Sequence, residues 1–143
     1  MSRVDFYVLA QAGSDAQLRF ACRLAEKAVE RGHRIYMQTA SAAESQRLDE
    51  LLWTFSDRSF LPHEIVTGSA ASDPQVKILL GHAPPPDGCC ELLINLSDAL
   101  PESPGRYERI AEVVAADPER KRLARERYKQ YRELGCTLES HNV

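Results

Sequence analysis

The sequence contains none of the short motifs that normally mark a nucleotide-binding or zinc-binding protein. Neither G-x-G-x-x-G nor G-x-x-x-x-G-K-[ST] occurs, and the loop after the first predicted strand has a single glycine, Gly13. His82 stands near the adjacent Cys89 and Cys90, but zinc sites use spaced pairs of ligands and a fourth partner that this region lacks. We therefore expect no metal site and no cofactor.

Thiols and histidines are few and scattered. The four cysteines form no C-x-x-C pair, and neighbouring cysteines are a poor basis for an ordinary disulfide, so we expect reduced thiols. The four histidines are spread along the chain, a pattern more typical of surface or packing residues than of a base beside a nucleophile. No catalytic residue is predicted, and the chain is not expected to be an enzyme by itself.

Long apolar runs are also missing. None approaches the ~20 residues that a membrane-spanning helix needs, and the N-terminus leads into a predicted strand rather than a signal peptide. With 43% hydrophobic residues, 27% charged residues and a length of 143, the chain suits one globular domain over residues 1–143. A net charge of −3 argues against a generally basic, nucleic-acid-binding surface. We expect a cytoplasmic protein without a membrane or a direct nucleic-acid partner.

What the sequence does contain is an alternation of strand-like and helix-like segments. Strands are predicted at 4–9, 34–39, 65–66, 76–80 and 92–96, and helices at about 15–31 and 41–53. Alternating segments of these lengths imply parallel strands joined by right-handed crossovers. The predicted fold class is α/β, a three-layer sandwich with a mostly parallel sheet, similar to a mononucleotide-binding fold without its phosphate motifs.

Two further segments are predicted near the C-terminus. Tyr107, Ile110, Val113 and Val114 share one side of a helix if residues 107–115 are helical, and this is the structure that we predict for them. Residues 137–143 are short and polar, and we expect them to form a flexible tail.

Residues 117–135 predict one strongly basic helix. Asp117 suits the N-cap, Pro118 the first helical position, and Gly135 the left-handed residue that follows the helix. The helix carries seven Lys or Arg against three Glu, a surplus of four in a chain whose net charge is −3. Since the rest of the chain is acidic, this local positive charge predicts an acidic partner.

The basic helix has three predicted faces. The core face consists of Leu123, Ala124, Tyr131 and Leu134, and a second face is polar. The third face spans an arc of roughly 100° and comprises Lys121, Arg125, Tyr128, Lys129 and Arg132. Because Tyr128 lies among cations, a binding surface is favoured over a merely solvated face. Arg127 projects into the apolar arc, so we expect it to be internally paired or to extend along the core to water.

A second unusual stretch lies in the middle of the chain. Leu48, Leu51 and Leu52 already give the second helix an inward face, which makes Trp53, Phe60 and Pro62 candidates for a separate apolar surface. The alternative is that Trp53 and Phe60 fill the core, as large aromatic residues commonly do.

Five stretches resemble the chi subunit family of bacterial DNA polymerase III, part of the clamp-loader assembly. They are FYVL (6–9), RLDELLW (47–53), FLPH (60–63), LINL (93–96) and LARERYKQYR (123–132). The stretches occur in order over nearly the whole chain, and the last is the most specific.

The resemblance implies a non-catalytic adaptor in DNA replication and repair. One surface of such proteins binds the acidic C-terminal tail of single-stranded DNA-binding protein, and another binds the psi subunit or a repair helicase. By the motif match, Arg125, Tyr128 and Lys129 carry over to the tail site, together with Lys121 and Arg132 of the same arc. Trp53, Phe60 and Pro62 carry over to the psi or helicase surface.

Two other hypotheses remain open from the sequence. The basic helix is also compatible with direct binding of single-stranded nucleic acid, which would weaken steeply with salt. The βαβα opening is also typical of a nucleotide- or small-molecule-binding enzyme of the doubly wound type, with its ligand at the carboxyl ends of the strands.

Overall fold

The computed structural model describes residues 2–54, 62–66, 76–84, 91–102 and 104–143. These ranges form one seven-stranded sheet and three α-helices. The strands are β1 (Arg3–Val8), β2 (Ile35–Gln38), β3 (His63–Ile65), β4 (Ile78–Gly81), β5 (Leu92–Asn95), β6 (Arg109–Val114) and β7 (Thr137–Asn142). The helices are α1 (Ser14–Glu30), α2 (Ala42–Thr54) and α3 (Pro118–Glu133).

The sheet is parallel throughout, with strand order β3-β4-β2-β5-β6-β1-β7. The prediction of an α/β fold with a mostly parallel sheet is therefore confirmed. Successive strands that run parallel need long crossover connections, and α1, α2 and α3 supply three of them, from β1 to β2, from β2 to β3 and from β6 to β7. None of the helices in the described part of the chain is long and apolar enough to span a bilayer.

Alternate residues of the central strands pack into two separate hydrophobic cores, one on each face of the sheet. In β2, Ile35 and Met37 pack toward α1 and α2, whereas Tyr36 packs toward α3 on the opposite face of the sheet. Strands buried on both faces read as continuous apolar runs, as in β5. The predicted three-layer arrangement is therefore confirmed.

The helix predicted over 107–115 is wrong, because Arg109–Val114 form strand β6 between β5 and β1. Ile110 and Val114 face the α3 side of the sheet, and Ala111 and Val113 face the α1 side. Apolar side chains on both faces of a buried strand imitate helical spacing over so short a run. The β-branched residues in this segment were the better signal.

The flexible tail expected at 137–143 is replaced by β7, which pairs in parallel with β1 over Thr137–Asn142. Its polar composition reflects its position at the edge of the sheet, where most of its side chains are exposed. Polarity therefore marked an edge strand here rather than a segment without regular structure.

Candidate functional site

The basic helix α3 begins as the sequence predicted, but its N-cap side chain contacts another element. Asp117 is extended (φ −61°, ψ 134°) and precedes Pro118 in the first turn, yet its carboxylate does not cap α3. It accepts a 3.1 Å hydrogen bond from the N–H of Gly13, immediately before α1. In nucleotide-binding sheets the start of the helix after β1 receives a phosphate. A carboxylate of the chain itself occupies this position here.

The C-terminus of α3 closes with a Schellman motif. Gly135 has φ 84°, its N–H bonds to the carbonyl of Arg132, and the N–H of Cys136 bonds to the carbonyl of Tyr131. The predicted role of Gly135 is confirmed. Leu134, assigned by its spacing to the core face, is instead 59% exposed because it follows the last helical residue.

A buried polar network fixes the inner face of α3 against the sheet. Glu112 of β6 is fully buried and accepts hydrogen bonds from the Tyr131 hydroxyl (2.6 Å), the Asn95 amide (2.9 Å) and the Arg127 guanidinium (3.2 Å). Arg127 also donates to the carbonyl of Asp98. Of the two alternatives expected for Arg127, internal pairing is the one observed, and it determines which face of α3 points outward.

A cavity of about 300 Å³ lies between the outward part of α3 and the sheet. Its apolar lining comes from both sides: Phe6 and Val8 of β1, Val114 of β6 and Ala124 of α3. Its polar lining consists of Lys121, Arg125, Tyr128 and Ser140. The cavity therefore combines an apolar interior with positive charge and a phenol.

Tyr128 links the apolar and cationic parts of this site. Its ring packs on Phe6 with centroids 5.4 Å apart and an interplanar angle of 52°. Lys121 is half-buried and Arg125 is exposed. Among the described residues neither cation forms an ion pair, whereas Arg122 of the same helix pairs with Glu119 and Glu126. The two cations at the cavity thus keep their charge available for a ligand.

The structure brings together three of the five predicted residues of the basic arc. Lys121, Arg125 and Tyr128 line the cavity, while Lys129 and Arg132 are exposed on the same helix and do not line it. Within the described ranges, Lys129 and Arg132 also lack an ion-pair partner. They add to the positive field around the cavity without forming its wall.

The second predicted surface is only partly described. Trp53 at the end of α2 is 51% exposed, and its ring lies against His63, with centroids 4.6 Å apart. Pro62 is exposed, and Phe60 lies outside the described residues. Trp53 therefore does not fill the core.

Burial raises the pKa of both thiols in the described part of the chain, so neither is in an environment that favours the reactive thiolate. Cys22 is buried and free, and burial raises the pKa of its thiol to about 12. Cys136 is half-buried and free, while Cys89 and Cys90 lie outside the described residues.

One group of side chains has the spacing of metal ligands. Asp5, Glu139 and His141 bring their ligand atoms within 4.8 Å of one another. Arg109 and Arg3 already pair with the Asp5 carboxylate at 2.9 and 3.2 Å, so the charge that would attract a cation is compensated. The buried Asp5 is therefore part of an ion-pair network on the α1 side of β1.

Sequence reasoning missed the residues that form the walls of the cavity. Phe6 and Val8 alternate along β1 and so share one face, a signal that the sequence did contain. Val114 and Ser140 could not be recognised as wall residues, because their segments were predicted to be a helix and a flexible tail. Placing them required knowledge that β6, β1 and β7 are neighbours.

Comparison with known proteins extends these observations. The family described as "DNA polymerase III chi subunit, HolC" matches residues 1–139. The chain is 38% identical over 143 residues to DNA polymerase III subunit chi of Pseudomonas aeruginosa, covering 100% of this chain and 98% of that protein. It is 30% identical over 139 residues to the protein of the same name from Haemophilus influenzae, covering 97% and 96%. For Escherichia coli the identity is 27% over 142 residues, covering 96% of each chain.

Because the family match extends over nearly the whole chain and two relatives are at least 30% identical along almost all of it, the chain belongs to the DNA polymerase III chi subunit family, whose members are non-catalytic accessory subunits of the replicase.

Proposed function

We propose that the cavity beside α3 binds the acidic C-terminal tail of single-stranded DNA-binding protein. Bound in this way, the chain tethers the replicase, or a repair helicase, to protein-coated single strands in the bacterial cytoplasm. The observation that carries the proposal is the pairing of an apolar cavity of about 300 Å³ with two cations that have no ion-pair partner among the described residues.

The chemistry of the cavity matches the end of such a tail. An apolar terminal side chain enters between Phe6, Val114 and Ala124, where it leaves water. The terminal carboxylate then lies near Arg125, whose guanidinium can donate two parallel hydrogen bonds to it. Lys121 supplies a point charge for the same carboxylate or for the preceding acidic residue.

The remaining cations act at longer range. Lys129 and Arg132 lie outside the cavity wall, so they attract upstream acidic residues of the tail without a fixed contact. Exposed contacts of this kind are individually modest and salt-sensitive. We therefore expect micromolar affinity, about −8 kcal/mol.

The direct test is fluorescence anisotropy with a labelled acidic peptide that ends in Phe. We expect Arg125→Ala to weaken binding by about tenfold or more, the size of a lost charge-assisted hydrogen bond. Lys129→Ala should weaken it less. Replacing the terminal carboxylate of the peptide with an amide should reproduce most of the effect of Arg125→Ala, because the same contact is removed from the other side.

Arg122→Ala is the matched control. It removes the same charge from the same helix, but its guanidinium pairs with Glu119 and Glu126 and does not line the cavity. The control should bind the peptide within about twofold of the unaltered chain, since exposed pairs contribute little. Unchanged affinity after both Arg125→Ala and Lys129→Ala would remove the assigned site.

We further propose that the surface around Trp53 binds the psi subunit or, in its place, a repair helicase, with Phe60 and Pro62 contributing. An exposed Trp beside an exposed Pro is typical of the residues that dominate protein interfaces. The two sites then lie on different elements, α2 and α3, which allows both partners to bind together.

The second surface is tested by calorimetry with purified psi subunit and with the helicase. Trp53→Ala should weaken at least one of these complexes by about thirtyfold, as expected for a central interface aromatic, and leave the affinity for the acidic peptide unchanged. Leu134→Ala truncates another large exposed apolar residue and serves as the control. If both complexes survive Trp53→Ala intact, the surface is misassigned.

A further inference from the structure

A second cationic stripe runs along α1, on the opposite side of the sheet from α3. It consists of four exposed residues spaced four apart: Arg19, Arg23, Lys27 and Arg31. Successive members are about 6 Å apart along the helix axis. None of the four forms an ion pair with another described residue, although Arg23 lies 5.9 Å above the ring of Phe20. Because the protein as a whole is acidic, this row of unpaired cations is a local positive surface that could attract an acidic ligand.

Three cavities follow this stripe, and each is lined by two successive members of it. Arg19 and Arg23 line one of about 640 Å³, Arg23 and Lys27 line the next, of about 510 Å³, and Lys27 and Arg31 line the third, also about 510 Å³. Because neighbouring cavities share residues, they form one trough alongside α1.

The floor of the trough is apolar. Phe20 and Leu24, both half-buried, line two of the three cavities, and Ala16 extends the same helical row. Leu9 and Val143 form part of the opposite wall. A ligand here would place apolar groups against the floor and negative charges against the stripe.

The trough meets the tail-binding cavity at the carboxyl edge of the sheet. Val8 lines the cavity and Leu9, the next residue, lines the trough. Ser140 lines the cavity and Val143, about 10 Å further along an extended chain, lines the trough. An extended peptide that leaves the cavity can therefore pass around the ends of β1 and β7 and continue along α1.

We infer that the trough along α1 holds the upstream part of the same acidic tail whose last residues occupy the cavity beside α3. This inference rests on the proposed function. The tail then binds in two segments. Its end contacts Arg125 and Tyr128, and its upstream acidic and apolar residues contact the cationic stripe of α1 and the apolar floor of the trough.

The observations favour a peptide over a nucleic acid as the occupant. The ring of Tyr7 is stacked with His141 and packs against Phe20, so this ring is already engaged by side chains of the protein itself. The carboxylates of Glu26, Glu91 and Glu108 also line the trough. They would repel a chain that carries a negative charge at every unit, whereas a peptide can place neutral residues opposite them.

A length series of peptides tests the inference. The span from Arg19 to Arg31 is about 18 Å, and with the turn around the sheet edge an extended peptide needs roughly nine residues to follow it. We compare a short acidic peptide of about five residues ending in Phe with one extended upstream to about fifteen. The long peptide should bind about tenfold tighter, from several weak charge contacts and buried apolar groups.

The double variant Arg23→Ala/Lys27→Ala should remove most of this gain and leave the affinity of the short peptide within about twofold of the unaltered chain. The control is Lys77→Ala/Arg122→Ala, which changes the net charge equally at exposed residues that line neither the trough nor the cavity, and it should keep the gain.

The outcomes are distinguishable. If the short peptide binds but the longer one gains nothing, or keeps its gain in Arg23→Ala/Lys27→Ala, the trough is misassigned while the α3 site stands. If the short peptide does not bind at all, the proposed function fails, and this inference with it. Binding of a single-stranded oligonucleotide that the double variant abolishes would assign the trough to nucleic acid and overturn the inference.

Discussion

At the scale of single residues, three arginines of α3 differ in role because they point in different directions. Arg122 forms ion pairs with Glu119 and Glu126 on the exposed polar face of α3, and Arg127 is buried and forms an ion pair with Glu112. Arg125 lines the cavity with no ion-pair partner in the described part of the chain. Sequence composition counts all three as equal positive charge, yet of the three only Arg125 lines the cavity.

Because Arg127 and Glu112 form a buried ion pair, we predict a large difference in stability between two arginine variants of α3. Arg127→Ala leaves the Glu112 carboxylate buried without its cation, and this should lower the free energy of unfolding by about 3–5 kcal/mol. Arg122→Ala removes an exposed, solvated pair, so its urea midpoint should be nearly unchanged. Urea unfolding of both variants checks this, and equal midpoints would show that the network does not anchor α3.

The Asp5 carboxylate predicts a contribution to acid stability. Burial alone would raise its pKa, but hydrogen bonds from His141 and Arg109 outweigh burial, so the pKa lies below its ordinary 3.8. A lowered pKa contributes stability that is fully present above about pH 4 and is lost as the pH falls through the folded-state value. Asp5→Asn should therefore show a smaller loss of stability between pH 7 and pH 3 in urea unfolding.

Glu139→Gln is the control for this pH effect, since Glu139 is an exposed member of the same network. Its pH dependence should stay close to that of the unaltered chain. If Asp5→Asn retains the full loss of stability at acid pH, other carboxylates are responsible for it.

At the scale of elements, the turn between α3 and β7 connects the site to the edge of the sheet. Gly135 at φ 84° lets the chain reverse, and β7 then contributes Ser140 to the cavity.

Gly135→Ala should destabilise the protein by about 1 kcal/mol, because a Cβ disfavours the left-handed conformation. Gly105→Ala is the matched control, since Gly105 has no positive φ and open space for a Cβ. Thermal unfolding should give a lower melting temperature for Gly135→Ala than for Gly105→Ala. Similar melting temperatures would contradict the requirement for glycine at position 135.

The elements with strong local signals could be predicted from the sequence, and those defined by their neighbours could not. α1, α2 and α3 have start or stop signals and apolar periodicity in the sequence, and their predicted bounds agree with the structure to within one or two residues. β6 was mistaken for a helix because a strand buried on both faces shows no alternation. β7 was taken for a tail because an edge strand pairs on one side only and stays polar.

The same distinction applies to the site. The cationic arc of α3 was visible at helical spacing, so Lys121, Arg125 and Tyr128 were identified together. The apolar walls from Phe6 and Val114 depend on long-range strand pairing that no local pattern encodes. The position of Asp117 on the N–H of Gly13 likewise depends on the approach of α3 to α1 across the sheet.

At the scale of the whole molecule, the chain combines a fold associated with nucleotides with an accessory role. Membership of the chi subunit family replaces the alternative of a doubly wound enzyme. Asp117 lies where a phosphate would bind, and the uncompensated cations described here lie on α3 and α1 instead. These cations of an otherwise acidic protein thus follow one proposed path for an acidic ligand.

The most direct test of the central claim is an NMR titration of the ¹⁵N-labelled chain with the acidic, Phe-terminated peptide. We predict that the largest saturable shift changes fall on the backbone amides of Val8, Lys121, Arg125, Tyr128 and Ser140, around the cavity. The amide of Trp53, on the other proposed surface, should not move. Shifts that leave the α3 cavity unchanged and cluster around Trp53, or no saturable shifts at millimolar peptide, would contradict the account.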